Sequence, residues 1–457
     1  MTKEAPAVLW FRRDLRLGDH AALLAASERS KHVLALYVLD DALIAPAGAP
    51  RIAFMHGCLR ALDDQLGGRL LLRHGDPVKV VAQVAKEVGA ASVHVSADTA
   101  PYGRKRDGEV AKALAEQGVE WVESGSPYAI APGRVLKPDG DPYRVFTPFF
   151  RAWLRHGWRR PADTDASTVD WIKPQKSVKL PKTPDLGEMK LPEPGEVAAL
   201  KAWREFHEDG VGDYDEGRDR PDKPATTMMS PYLRWGCVHP RTLLADLAGD
   251  ERKGAAALRG EFAWREFHAD VLWHRPEVAR KNYDKRFDAI QHDTGAAARS
   301  SFEQWCEGRT GFPIVDAGMR QLLAEGWMHN RVRMVVASFL VKDLHLPWWW
   351  GARHFMKYLV DGDLASNQLN WQWVAGSGTD AAPYFRVFNP TTQGEKFDPR
   401  GDYVRKYVPE LRAVQGKAVH QPWKLAEGQP EGYPDPIVEH SHERQVALAR
   451  YGAIKGT

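Results

Sequence analysis

The chain predicts an α/β N-terminal domain with a parallel, Rossmann-like sheet, followed by an all-α C-terminal domain. Three observations carry that prediction. Apolar runs of strand length alternate with helical segments as far as Val122. Six prolines then crowd residues 161–194. Beyond Glu196 strand signals thin out and helical periodicity dominates, with 12 of the 17 tryptophans lying after residue 200. Strand–helix alternation with short connectors is the signature of a parallel sheet covered on both faces.

In chain order, residues 7–11 (AVLWF), 33–39 (VLALYVL), 69–73 (RLLLR), 93–95 (VHV) and 119–122 (VEWV) read as short buried strands. Between them, residues 19–30, 51–66, 77–88 and 106–117 carry Ala and Leu at helical spacing. Neither GxGxxG nor GxxxxGK[ST] follows the first strand, so no standard dinucleotide or P-loop signature is present. The proline-rich stretch reads as a surface connector. The resulting division is 1–130 for the α/β domain, 131–197 for the linker and 198–457 for the helical domain.

Bulk properties narrow the function classes. The 43% hydrophobic and 27% charged fractions fit a folded soluble domain pair. No apolar run approaches a membrane span, and MTKEAP opens no signal peptide, which predicts a cytoplasmic protein with no membrane partner. Cys58, Cys237 and Cys306 are too dispersed for a zinc site or disulfide framework, so no metal is expected. A net charge of +3 says little by itself, but Arg151–Arg160 (RAWLRHGWRR) holds four arginines and no acid, and Arg331 and Arg333 form a second group. Solvated helix faces are the competing reading of both.

Four segments of the helical half carry candidate chemistry. In residues 214–236 (YDEGRDRPDKPATTMMSPYLRWG), two prolines forbid a continuous helix. Ser230-Pro231 is a plausible helix start, where exposed N–H groups and hydroxyls could hold a diphosphate. In residues 261–273 (EFAWREFHADVLW), Glu261 and Trp264 share a helix face, as a carboxylate and an indole able to recognise a base; an amphipathic helix with a Glu261–Arg265 ion pair is the plainer alternative. In residues 327–342 (WMHNRVRMVVASFLVK), helical spacing puts Trp327, Asn330 and Met334 on one face, either at a planar ligand or in core packing. The fourth segment runs from Trp348-Trp349-Trp350 through Asp361, Asp363, Asn367, Trp371 and Trp373 into the loop 375–394. Hydrophobic packing alone accounts poorly for two acids and an amide in that company.

Long stretches of this chain resemble the class I photolyases of the photolyase/cryptochrome family. They are AVLWFRRDLRLGD at 7–19, WREF at 264–267, TGFPIVDAGMRQL at 310–322, WMHNRVRM at 327–334 and DGDLASNQLNWQWVAGSGTDAAPYFRVFNPTTQG at 361–394. The resemblance implies a light-driven DNA lyase acting on cyclobutane pyrimidine dimers in ultraviolet-damaged DNA, with FAD, active as FADH⁻, folded into the helical domain. It implies that Tyr214, Thr226, Thr227 and Ser230 hold the FAD phosphates with Arg265 nearby. It places Asn330, Arg333, Asp361, Asp363 and Asn367 around the ribityl chain and isoalloxazine ring. Asn367 matches the position facing flavin N5, where an amide, unlike a carboxylic acid, donates no proton; this favours repair over signalling. Glu261, Trp264, Asn330, Met334 and Trp373 match the dimer pocket, with Trp264 and Trp373 also contacting DNA and Arg331 binding its phosphates.

The same resemblance implies an electron relay through Trp371 and Trp348. The usual third tryptophan is missing, since residues 274–304 contain none; Tyr283, Trp305, Trp349 and Trp350 are the candidates to replace it. An antenna chromophore, 8-hydroxy-deazaflavin or methenyltetrahydrofolate, is expected in the α/β domain. Arg51 and Pro101–Glu109 are loosely similar to the deazaflavin type. The protein is expected to act as a monomer. A (6-4) photolyase and a blue-light signalling cryptochrome are the alternative functions. The first usually has paired histidines where Met328 and His329 stand, and the second often carries a long tail.

Overall fold

In the computed structural model, residues 5–380 and 385–455 are described. Ala381–Tyr384, inside the predicted binding loop, lie outside that set. Five strands, β1 (Ala7–Phe11), β2 (His32–Leu39), β3 (Leu70–His74), β4 (Ser92–Val95) and β5 (Glu120–Glu123), pair in parallel in the order β3-β2-β1-β4-β5. The order reverses between β1 and β4, as in doubly wound sheets. The helices α1 (Ala21–Arg29), α2 (Ala49–Gln65), α3 (Pro77–Val88) and α4 (Pro101–Ala115) connect them. β1, β2 and β4 are buried because both sheet faces are covered, and β1 and β2 read as unbroken apolar runs; β5, expected to be buried, lies at the sheet edge with Glu120 and Glu123 exposed.

Local signals set the element ends. Asp76 caps α3 by accepting from the Val78 N–H at 3.0 Å, Pro77 opens it, and Gly89 closes it at φ +64. The predicted helix 106–117 begins five residues earlier, because Pro101 occupies a first-turn position where its missing N–H costs nothing. Part of the connector is not a free surface loop: Asp170–Trp171 adds a short parallel strand, β6, beside β2.

The helical part includes α5 (Phe146–His156), α6 (Lys253–His274), α7 (Pro313–Glu325), α8 (Asn330–Ser338), α9 (Trp348–Tyr358), α10 (Leu364–Ala375) and α11 (His440–Lys455). The sequence predicts one helix over 327–342, and here the structure differs. Trp327 precedes the cap residue His329, so it does not share a helix face with Asn330 and Met334. At the other end α8 widens into a π-turn over Phe339–Asp343.

Compactness divides the chain into two units. One comprises residues up to 185 together with 192–211 and 227–276; the other comprises 186–191, 212–226 and 277 onward. The second unit has a core of aromatic and aliphatic side chains including Trp305, Phe312, Phe339, Leu340, Trp348 and Trp371. Among the described residues, no helix is long and apolar enough to cross a membrane and no metal-ligand cluster occurs.

Candidate active site

The predicted site residues are shared between the two units. Thr227, Ser230, Glu261, Trp264 and Arg265 belong to the first; Tyr214, Thr226, Asn330, Arg331, Arg333, Met334, Asp361, Asp363, Asn367, Trp348, Trp371 and Trp373 belong to the second.

In the second unit, α8 and α10 bring seven of them together. One cleft is lined by Asn330, Arg333, Met334, Asp361, Asp363, Asn367 and Trp371. Asp363 caps α10 by accepting from the Ser366 N–H at 3.1 Å, which starts the helix three residues before Asn367. Arg333 donates to Asp361 Oδ2 at 2.8 Å and to the Met328 carbonyl at 2.7 Å. The other oxygen of Asp361 is buried and has no partner among the described residues.

The Asn367 amide is fixed in one orientation. Its Nδ2 donates to the Ala352 carbonyl at 3.1 Å and to Gln368 Oε1 at 2.9 Å, while Gln368 Nε2 donates to the Ala279 carbonyl at 2.7 Å. Backbone carbonyls accept only, so the NH₂ ends of both amides are assigned without ambiguity. Both hydrogens of Asn367 are committed, and what it offers the cleft is a neutral acceptor. A buried lone carboxylate oxygen and an acceptor-only amide suit a planar ligand bearing N–H donors, as a reduced flavin does.

The cleft's aromatic wall depends on one glycine. A Cβ at Gly351 would come 2.1 Å from the Trp371 ring, so only glycine on α9 lets that indole lie against the backbone. Trp371 packs at 5.0 Å from Phe355 and 6.2 Å from Trp305, centroid to centroid. Trp348 donates to Asn282 Oδ1 at 2.9 Å and meets Trp349 edge-on at 5.9 Å. Of the candidate relay ends, Trp305 is fully buried, whereas Tyr283, Trp349 and Trp350 reach partly to solvent.

Trp373 is half-buried, its indole N–H donating to the Asp380 carbonyl at 3.0 Å. Met334 is half-buried and Asn330 exposed, one turn apart on α8. Arg331 forms an ion pair with Asp219 at 2.7 Å and lies 4.6 Å over the Phe397 ring, so a phosphate at this arginine would compete with a carboxylate already there. Tyr214 is buried on a short helix and Thr226 follows it half-buried.

In the first unit, α6 carries Glu261, Trp264 and Arg265. Arg265 donates to the Pro127 and Leu233 carbonyls at 2.9 and 3.2 Å and lies over Tyr128. Phe146 stacks on Trp264 with ring centroids 3.7 Å apart and planes 7° from parallel, and Phe150 continues the stack at 5.5 Å. Sequence reading missed Phe146 because it lies in the stretch assigned to the linker. The same helix buries Glu266, which accepts from the Ala129 and Ile130 N–H groups and the Trp153 indole. Thr227 accepts from the Met229 N–H at 3.2 Å, and Ser230 starts a short helix with Pro231 behind it, as the sequence predicts.

Arg51, one of the antenna positions, is buried, and the Pro101–Glu109 stretch is tied into its own domain. Tyr102 donates to Asp40 at 2.7 Å, and Arg106 pairs with Asp107 and Asp98 at 2.8 and 3.1 Å.

Residues 258–453 match the FAD binding domain of DNA photolyase, and residues 7–167 match the DNA photolyase domain. The deoxyribodipyrimidine photo-lyase of Agrobacterium fabrum is 41% identical across 100% of this chain and 99% of its own length. The chain belongs to the DNA photolyase family. Among solved structures, the class III photolyase of Agrobacterium tumefaciens superposes with a TM-score of 0.92 at 40% identity, covering 100% of this chain and 99% of that one. The cryptochrome of Synechocystis superposes at 0.88 with 28% identity, covering 98% and 100%. The photolyase fold is therefore shared by repair and cryptochrome relatives alike, and the match fixes the family rather than the class within it.

Proposed function

We propose that this chain is a light-dependent lyase that repairs cyclobutane pyrimidine dimers in ultraviolet-damaged DNA, with reduced FAD as its cofactor. The observation that carries the reading is the Asn367 amide, locked as a neutral acceptor in a cleft whose charged groups are Arg333, Asp361 and Asp363. When bound, FADH⁻ supplies the photoexcited electron that opens the cyclobutane ring and takes it back afterwards, so the reaction has no net redox change.

The chain's own residues bind and orient. Arg333, Asp361, Asp363 and Asn367 would hold the isoalloxazine ring and ribityl chain, with Asn330 beside them. Tyr214, Thr226, Thr227, Ser230 and Arg265 would hold the phosphates. Trp264, stiffened on one side by Phe146, and Trp373 would offer apolar faces to a flipped dimer. Each such face is worth about 1–3 kcal/mol by analogy with base stacking. Glu261 would hydrogen-bond the pyrimidine edge, and Met334 would fill the pocket. Arg331 and the exposed Arg151, Arg155, Arg159 and Arg160 would position the duplex through its phosphates without reading sequence. Trp371 and Trp348 would carry electrons inward when the flavin is oxidised.

The domain roles follow: 1–130 for an antenna chromophore, 8-hydroxy-deazaflavin or methenyltetrahydrofolate, 131–197 as linker and 198–457 for FAD and DNA. A monomeric, cytoplasmic enzyme is part of the same proposal. The test is to mix reduced protein with a thymine-dimer oligonucleotide and illuminate with blue light. Thymine absorbance returning only in the light supports the reading; its failure to return in repeated trials with flavin-loaded protein rejects it.

A further inference from the structure

The π-turn that ends α8 buries a lysine. Lys342 is 4% exposed, yet among the described residues no carboxylate touches its ammonium. Its Nζ instead donates to the Arg386 carbonyl in a short hydrogen bond and lies 4.3 Å from the centroid of the Phe385 ring. That ring is stacked on Tyr451 of α11 at 4.5 Å and 9°. Gly376, at φ +90, makes room for it, since a Cβ there would come within 3.1 Å. The same stretch is tied back a third time, where the Phe388 N–H donates to Ser338 Oγ at 3.4 Å. Lys342, Phe385, Arg386 and Phe388 together with Trp373 line one small cavity.

Burying a lysine without a counter-ion at its nitrogen costs several kcal/mol. A leucine or methionine would fill the space without that cost, so packing does not explain the choice. What an ammonium adds is a charge-assisted bond to one backbone carbonyl and a cation–π contact to the neighbouring ring. Both act on residues 385–386, whose Arg386 side chain is exposed and basic beside Trp373. A π-turn places the lysine there, one residue out of α-helical phase, and such turns concentrate at functional sites.

We infer that Lys342 is a positioning residue for lesion binding: its ammonium fixes Phe385–Phe388, and with it Arg386, beside Trp373. The inference rests on the repair reading above and adds a residue that touches neither flavin nor lesion. Removing the ammonium leaves the cleft of α8 and α10 intact but lets the stretch bearing Arg386 wander, so affinity for damaged DNA falls while turnover of bound DNA does not.

Charge around Lys342 allows a second readout. Burial pushes its pKa down to about 7, against the pull of the adjacent Asp343, whose own carboxyl is pushed up to about 6 by burial and held by His440. Glu443 and His345 pair nearby, and Arg450 pairs with Asp293. Arg386 from the loop and Tyr451 from α11 complete the surroundings. The bond-making ammonium form dominates below about pH 7 and is lost above it.

The experiment compares wild type with Lys342→Met and Phe385→Leu in flavin-loaded, reduced protein, using a thymine-dimer duplex and an undamaged duplex. The expected result for Lys342→Met is a rise of about tenfold in KM. Flavin content and light-saturated kcat stay near wild type, and amide exchange is faster over residues 385–388. Wild-type affinity should weaken from pH 6.5 to 8, and that slope should vanish in the variant. An unchanged KM, or a fall in kcat as large as the rise in KM, overturns the inference. Should Lys342→Met lose its flavin, Phe385→Leu decides on the same criteria. If wild type itself repairs nothing, the repair reading has failed instead, which the wild-type control shows separately.

Discussion

Gln368 holds Asn367 in place: its side-chain oxygen accepts one Asn367 amide hydrogen while its own amide is anchored on the Ala279 carbonyl. Together with the Ala352 carbonyl, the neighbouring residue thereby commits both amide hydrogens and leaves the Asn367 oxygen for the cleft. Replacing Gln368 with leucine frees one Asn367 hydrogen and leaves the amide held by its Ala352 bond alone. Flavin should still bind, but with Asn367 less firmly held the reduced form should reoxidise in air faster, by up to about tenfold, a change of roughly 1.4 kcal/mol. Following flavin absorbance after anaerobic reduction and exposure to air measures it; an unchanged rate would show that Gln368 has no such influence.

Arg333 and Asp361 form an ion pair in the cleft, with Asp361 nearly buried and Arg333 about a quarter exposed. Removing the arginine leaves a carboxylate without its counter-charge. Arg333→Met should destabilise the protein by about 2 kcal/mol, reduced from the usual cost of breaking a buried pair by the solvent at Arg333. Urea melts at neutral pH read this directly. The double variant Arg333→Met with Asp361→Asn should recover much of the loss, because no charge is then stranded.

His329 makes the site sensitive to acid. Its ring accepts from the Arg331 N–H at 3.2 Å, capping α8, and burial drives its pKa down to about 4 despite the attraction of Asp219. A histidine with a depressed folded-state pKa contributes stability that is complete above the unfolded value near 6.5 and lost as pH falls from there toward 4. The loss should reach about 3 kcal/mol. His329→Asn keeps a capping acceptor that does not ionise, so melts of this variant should be flatter between pH 7 and 5. A wild-type curve no steeper than the variant's would refute the assignment.

Phe146 supports Trp264 by face-to-face contact. Phe146→Ala should weaken binding of dimer-containing DNA about three- to tenfold through a looser indole, the worth of one aromatic pair. Binding of undamaged duplex should change little, and a filter-binding titration with both duplexes separates the two.

The relay is tested by photoreduction alone. Trp371→Phe should abolish blue-light reduction of oxidised flavin while leaving repair by chemically reduced protein intact. Trp349 touches Trp348 and is partly exposed, so Trp349→Phe should slow photoreduction more than Trp350→Phe. Equal rates in both variants would move the exit elsewhere.

Much of this was legible in the sequence, for identifiable reasons. Strands buried on both faces announce themselves as apolar runs, and β1 was readable to the residue as AVLWF. Pro77 and Gly89 marked both ends of α3. The cluster of Asp361, Asp363 and Asn367 stood out because polar groups are costly in an aromatic setting. Trp327 was misplaced because helical spacing says nothing of where a cap interrupts it, and the π-turn at Phe339 leaves no compositional mark. Gln368, Phe146 and Lys342 were invisible for a shared reason: each matters through a partner far away in the chain, such as Ala279, Trp264 or Arg386.

The burial of Glu266 bears on how this protein can be taken apart. Its carboxylate gathers backbone from residues 129–130 and the Trp153 indole onto α6, more than a hundred positions later, and Asp270 binds the Gly133 N–H in the same way. A gene fragment ending at the connector would strand those donors without acceptors. The N-terminal half is therefore tied into a compact unit that also takes in residues 192–211 and 227–276 from beyond the connector.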